Sequence, residues 1–189
     1  PRRNRWYVKV PVFSFSKLRG ADVYLSPEMK STGEAIGYDD SLNRALYKAL
    51  KAANMRVANY GTVFVTIADE DKPRALPLVR RFYDLGFNIE ATRGTAQFLK
   101  DNGIRTRSRA KISEGSEEIL ESLRQGHVTY VINTLGANEW ANTDGFAIRR
   151  CAVENNVTMF TSLDTVSVLL DVLEEITVGV STIDSEGKK

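Results

Sequence analysis

Cysteine and histidine are almost missing from these 189 residues: Cys151 and His127 are the sole members of their kinds. One thiol excludes an internal disulfide and fits a reducing compartment, so the chain is expected in the cytoplasm. One histidine and one cysteine leave no conventional zinc set. They also leave no Ser-His-Asp or Cys-His catalytic set to assemble. No apolar run nears the roughly 20 residues that span a bilayer. The opening residues, Pro1-Arg-Arg-Asn-Arg-Trp6, lack the apolar stretch of a signal peptide. A net charge of +2 is too small to argue for nucleic acid by itself. Two glutamates in a loop, Glu28 and Glu34, read as solvated or ion-paired groups rather than magnesium ligands, so no metal site is assigned.

What is present is an ordinary globular composition, 42% hydrophobic and 26% charged. The length suits one domain with an appendage, or two small domains. Residues from Arg5 to Phe15 are rich in β-branched and aromatic types and read as one or two strands, with Pro11 at an edge or a break. Leu18 to Gly37 carries several punctuators and reads as a loop. So small a piece buries little area, and it looks like the tail of something larger. A helix capped by Asp39 or Asp40 follows, with Leu42, Ala45, Leu46, Ala49 and Leu50 at helical spacing to about Ala53.

From residue 61 the chain alternates strand and helix. Gly61 to Ala68 is a continuous apolar strand, as in a parallel sheet buried on both faces. Asp69-Glu-Asp-Lys-Pro-Arg74 opens a helix striped by Leu76, Val79, Phe82 and Tyr83 and closed by Gly86. Arg105 to Ala110 is a short strand or loop. Ser116 caps a helix to Gln125, Val128 to Ile132 is a strand, and Asn133 to Gly145 is a polar loop. Phe146 to Asn155 is a helix with Cys151 on its packed side, Val157 to Thr161 a strand, and Leu163 to Glu175 a helix. The end, Ser181 to Lys189, is polar and reads as a mobile tail. This β-α alternation predicts an α/β fold with a mostly parallel sheet, helices on both faces and right-handed crossovers.

One stretch organises the rest: Gly86-Phe-Asn-Ile-Glu-Ala-Thr-Arg-Gly-Thr-Ala-Gln-Phe-Leu99. Phe87 to Glu90 alternates as a strand does, and Ala96 to Asn102 reads as a helix closed by Gly103. Between them lies a small-residue turn, Thr92-Arg-Gly-Thr95. A turn of this kind aims backbone N–H groups forward, and the helix dipole adds positive charge at the same place. Two hydroxyls and a guanidinium stand beside those donors, so the natural guest is an anion, phosphate best of all. From Arg93 to Lys111 six basic residues face one acid, Asp101. Ligands of such sheets sit at the carboxyl ends of strands, near a switch in strand order. Lys72, Thr92 to Thr95 and Asn133-Thr134 all fall there.

Several longer motifs carry a resemblance. Leu25-Ser-Pro-Glu-Met-Lys-Ser-Thr-Gly-Glu-Ala-Ile-Gly37 resembles the segment that closes the second ATP-grasp half of the carbamoyl-phosphate synthase large subunit. Ala91-Thr-Arg-Gly-Thr95, Lys111 before an acidic loop, Val131-Ile-Asn-Thr134 and Asp144-Gly-Phe-Ala-Ile-Arg-Arg150 resemble the methylglyoxal-synthase-like regulatory domain that follows it. The resemblance implies a short α+β remnant of an ATP-grasp domain over residues 1–55 and a three-layer, Rossmann-like allosteric domain over 56–189. It implies binding of UMP, IMP or phosphoribosyl pyrophosphate, and control of ATP-dependent carbamoyl phosphate synthesis for arginine and pyrimidine formation. Lys72, Thr92, Thr95 and Lys111 match residues that hold the effector phosphate. Asn133, Thr134 and Asp144 match residues near the ribose and base. Leu135 to Asn138 departs from the pattern where other members carry a further hydroxyl or cation. The partners implied are the rest of the large subunit and the glutaminase small subunit. The full enzyme would use ATP with magnesium or manganese, but no cofactor is expected in this piece. No catalytic residue is assigned, and the piece is expected to make no carbamoyl phosphate alone. Self-association through residues 1–50 is a further expectation.

Two other readings compete. The first is a methylglyoxal-synthase-type lyase acting on a triose phosphate, which needs a carboxylate base and usually a histidine beside the phosphate turn. His127, between a helix and a strand, reads instead as a surface turn residue. The second is an interaction module using Arg105, Arg107 and Arg109 on one strand face. Little aromatic interleaving weakens its nucleic-acid form, and neither nucleic acid nor membrane is expected as a partner. Trp140 in the polar loop could cover the ligand site or a neighbouring domain.

Overall fold

The structure, a computed structural model, describes residues 6–13, 31–39, 42–52, 57–134 and 143–186. The chain divides into two compact units, one ending at Val57 and the other starting at Ala58.

The first unit holds strands β1 (Trp6–Phe13) and β2 (Ser31–Asp39) and helix α1 (Leu42–Ala52). The strands pair antiparallel, from Trp6 opposite Asp39 to Val12 opposite Gly33. Helix α1 packs on both of them. The loop expected to Gly37 is therefore corrected: Ser31 to Gly37 is strand. Pairing with β1 supplies the ladder that the glycines at 33 and 37 would not favour alone. Leu25 to Lys30 of the long motif lie outside the described residues, as does Asp40. Asp39 ends β2 and is not a helix cap.

The second unit is built on five parallel strands: β3 (Thr62–Ile67), β4 (Asn88–Thr92), β5 (Thr106–Arg109), β6 (Val128–Thr134) and β7 (Thr158–Phe160). Their order across the sheet is β5-β4-β3-β6-β7. The helices between them are α2 (Lys72–Asp84), α3 (Arg93–Asp101), α4 (Glu118–Arg124) and α5 (Thr143–Glu154), with α6 (Leu163–Glu186) last. Helix α2 packs with α3 and α6, and α4 packs with α5. Right-handed crossovers require this arrangement, because the chain winds from β3 towards β5, then back through β6 to β7. The α/β fold with helices on both faces is as the alternation predicts.

The core lies on both faces of the sheet. Phe64 and Val131 join Ile119, Leu123, Ile148 and Cys151 under α4 and α5. On the other face Phe82 meets Phe87 edge-on at 5.3 Å, and Tyr130 sits 6.0 Å from both Phe87 and Phe160. The Tyr130 hydroxyl donates to the Ala58 carbonyl (2.6 Å) and accepts from the Ala58 amide (2.8 Å), so its polar end is satisfied.

Several boundaries differ from expectation: Thr143 to Gly145, expected in the polar loop, open helix α5. Helix α3 begins at Arg93, so Gly94 and Thr95 stand in its first turn rather than in a preceding loop. Asn133 and Thr134 complete β6, because hydrogen bonding to β3 continues to Ile67. Helix α6 runs on to Glu186, so Ser181 to Glu186 is helix rather than a mobile tail. Apolar Ile176, Val178 and Val180 carry the sequence pattern past residue 175. Among the described residues, no helix is long and apolar enough to cross a membrane.

Candidate anion-binding site

The strand order creates the site. The chain leaves β3 towards β4 and leaves β6 towards β7, so the two connections part and open a crevice at the carboxyl ends of these neighbours. Register places Thr66 beside Asn133 and Ile67 beside Thr134. The Ala68 amide donates to both the carbonyl (3.2 Å) and the hydroxyl (3.1 Å) of Thr134, which locks the floor of the crevice.

Strand β4 delivers the second wall. Thr92 is extended (φ −62°, ψ 155°) and its side chain makes no capping bond to α3. The first-turn amides of α3 therefore lack a cap from Thr92, and they carry the positive end of the helix dipole. The Thr95 hydroxyl accepts from the Ile67 amide at 3.3 Å, which leaves its own proton to donate forward. The Thr92 hydroxyl lies 3.4 Å from that of Thr66 and 3.5 Å from that of Thr95. Thr92, Thr95, Asn133 and Thr134 are all buried.

The third wall follows β3. A 3₁₀ turn, Asp69–Asp71, leads into α2, whose first residue is Lys72. The Lys72 ammonium lies 3.8 Å from where a Cβ on Gly94 would stand. The cation thus stands directly beside the turn. Lys72 is ion-paired with the exposed Asp69. Its hydrogen bond and charge hold the Asp69 carboxyl below the usual carboxylate range, with a smaller contribution from Lys111.

Lys111 precedes a 3₁₀ turn, Ile112–Glu114. The Ser113 amide of that turn donates to Asp144 Oδ2 at 3.0 Å, which ties the Lys111 segment to the first turn of α5. Arg93 reaches Glu114 at 3.4 Å and ties the same segment to α3. Direct contacts thus join Thr92, Thr95 and Thr134 to the backbone end of β3, and Lys72 lies over the same turn. Lys111 and Asp144 belong to an adjoining bracket, and Asn133 sits buried beside Thr66 in the sheet register. Leu135, Asn138 and Trp140 lie outside the described residues. Sequence reasoning missed Thr66 and Asp69. A hydroxyl near the end of an otherwise apolar strand was the available signal for Thr66. The acids at 69–71 were read only as helix-opening charge.

The other ionisable cluster lies elsewhere. His127 precedes β6, at the amino end of the sheet, and bonds Glu90 Oε1 at 3.2 Å. Arg109 grips the same carboxylate with Nη2 at 3.0 Å and Nε at 3.3 Å. Burial pushes the Glu90 carboxyl up, but the hydrogen bonds and charges of Arg109 and His127 outweigh it and leave a value below the usual range. His127 is therefore half-buried and bonded rather than a free turn residue. The three arginines of the β5 segment do not form one free face either: Arg105 and Arg107 are exposed, while Arg109 is committed to Glu90. Burial raises the Cys151 thiol, as suits packing rather than reactivity. Among the described residues, no group of three His, Cys, Asp or Glu could hold a metal ion.

Comparison with known proteins bears on the fold. Residues 74–161 match the family model of the MGS-like domain. A solved methylglyoxal synthase from Elizabethkingia anophelis NUHP1 is 18% identical, with a TM-score of 0.51 over 60% of this chain and 79% of that one. The structure of ForH is 19% identical, with a TM-score of 0.46 over 61% of this chain and 80% of its own. At such identity the methylglyoxal synthase likeness is one of fold. The parallel sheet and its strand order agree with the match of residues 74–161 to that family model, and the fold of this part of the chain is like that of an MGS-like domain.

Proposed function

We propose that the chain is the allosteric, effector-binding portion of a carbamoyl-phosphate synthase large subunit. The ligand class is a phosphorylated nucleotide or sugar: UMP, IMP or phosphoribosyl pyrophosphate. One observation carries the reading: Lys72, the Gly94 turn and the hydroxyls of Thr66, Thr92, Thr95 and Thr134 converge at the carboxyl ends of β3, β4 and β6. Lysine gives a point charge, hydroxyls give donors, and the α3 amides give the dipole end, which together suit a phosphate. Lys111 closes over the phosphate, and Asn133, Thr134 and Asp144 read the ribose and base. The motif in 25–37 supports the link to the synthase, and with it the large-subunit remainder and the glutaminase subunit as partners. On this reading the chain senses a metabolite and catalyses nothing alone. UMP, IMP or phosphoribosyl pyrophosphate raises the melting temperature, and Thr95→Ala or Lys111→Ala abolishes the rise. Thr95→Ser keeps the bond to the Ile67 amide and retains most of it. No shift with any of the three at millimolar concentration overturns the proposal.

A methylglyoxal-synthase-type lyase is the second reading, favoured by the fold and by a phosphate turn shared with it in kind. Against it stands the position of His127, paired with Glu90 at the opposite end of the sheet from that turn. An assay for methylglyoxal formed from dihydroxyacetone phosphate separates the two, and the allosteric reading expects none.

A further inference from the structure

One carboxylate pairs directly with the cation of the anion site: Asp69 on Lys72. Lys72 is the cation over the Gly94 turn, and its side chain is only 17% exposed. That ammonium is occupied by Asp69, whose side chain is 93% exposed and so tethered chiefly by this contact. Asp69 also lies within the field of Lys111, the other lysine of the site. A carboxylate paired with the cation beside the Gly94 turn is chemically what an incoming ligand oxyanion would be. We infer that Asp69 is an internal stand-in for the ligand's anionic group, which a phosphate must displace from Lys72 before it binds.

The consequences follow from charge and tethering. A resident carboxylate offsets the charge of Lys72 when no ligand is bound. It also discriminates among ligands. A monoanion such as a carboxylate only exchanges one like group for another, whereas a phosphomonoester dianion brings more charge and more acceptors to Lys72, Thr92 and Thr95. Asp69 thus sets a charge threshold at the entrance while touching neither the sheet nor the core. The exposed side chain leaves the fold unaffected by its removal.

This inference rests on the phosphate-site reading, and inorganic phosphate is the probe that separates the two. Calorimetric titration is run on the full chain, on Asp69→Asn, on Lys72→Met and on the double variant, with melting curves to confirm folding. Phosphate binds Asp69→Asn about fivefold tighter than the unchanged chain, the scale of losing one exposed ion pair and one nearby like charge. The gain vanishes in the Lys72→Met background, because no cation is left for Asp69 to hold. Acetate gains more than phosphate from Asp69→Asn, since the threshold is gone. Equal or weaker phosphate binding by Asp69→Asn, with the unchanged chain binding normally, overturns the stand-in role and leaves the phosphate site intact. Absence of phosphate binding in both chains overturns the site and the stand-in together.

Discussion

At the scale of single residues, Glu90 illustrates what a lone sequence hides. The alternation from Phe87 to Glu90 marks a strand, but it does not show that Glu90 is buried along with Ile89 and Ala91. Nothing near Glu90 in sequence names its partners; Arg109 and His127 reach it only through the parallel register of β4 with β5 and the approach to β6. Replacing Arg109 with methionine leaves a buried carboxylate short of its strongest donor and costs about 2 kcal/mol in urea unfolding at neutral pH. The pH dependence has a definite sign. Because the folded carboxyl lies below its unfolded value, its contribution is full above the ordinary carboxylate range and is lost as pH falls through the lower folded value. In Arg109→Met burial prevails, the carboxyl rises, and stability begins to fall at a higher pH than in the unchanged chain. Urea midpoints between pH 3 and 7 read this directly. Gly94 gives the complementary case. Its φ is not in the left-handed region and an added Cβ meets only the Lys72 ammonium at ordinary contact distance. Gly94→Ala therefore changes stability by less than about 1 kcal/mol but weakens the thermal shift given by UMP. Equal loss of both would mean the glycine is structural.

At the scale of elements, most of the second unit was legible because its periods are clear. The apolar run of β3 and the stripe of α2 announce themselves, whereas the N-cap of α4 is Glu117 rather than Ser116, whose hydroxyl still accepts from the Glu118 amide at 3.3 Å. The elements that escaped depend on partners distant in sequence. Strand β2 needs β1 beside it, and the last residues of β6 need β3. Connections between elements carry their own constraints. Gly61 has φ +116°, and a Cβ there would stand 2.1 Å from the Thr129 hydroxyl, itself bonded to the Tyr60 carbonyl at 3.0 Å. Gly61→Ala is expected to cost about 3 kcal/mol through backbone strain and overpacking, measured as a lower urea midpoint. Helix α6 is fastened to α2 by Arg81, which bonds Glu174 at 2.8 Å and Asp171 at 2.7 Å. Partial exposure limits this clamp to about 1 kcal/mol, and Arg81→Ala should lose more stability at low than at high salt.

At the scale of the whole molecule, the site exists because the sheet reverses its winding between β3 and β6. Thr66, Thr92, Thr95 and Thr134 come from three strands and a helix, and no local pattern states that they share one crevice. The turn at 92–95 and the general rule for such sheets point to the carboxyl end of the sheet, but not to Thr66 or the Asp69 contact. The bracket from Lys111 to Asp144 was visible only as separate motifs; the Ser113 amide that joins them is a feature of folded backbone. The most direct test of phosphoester capture is an amide NMR titration of the chain with UMP, IMP and phosphoribosyl pyrophosphate. The account predicts the largest shifts at Arg93 to Ala96, Ala68 to Lys72 and Thr134. Shifts centred on Glu90, Arg109 and His127, or none with any of the three at millimolar concentration, would contradict it.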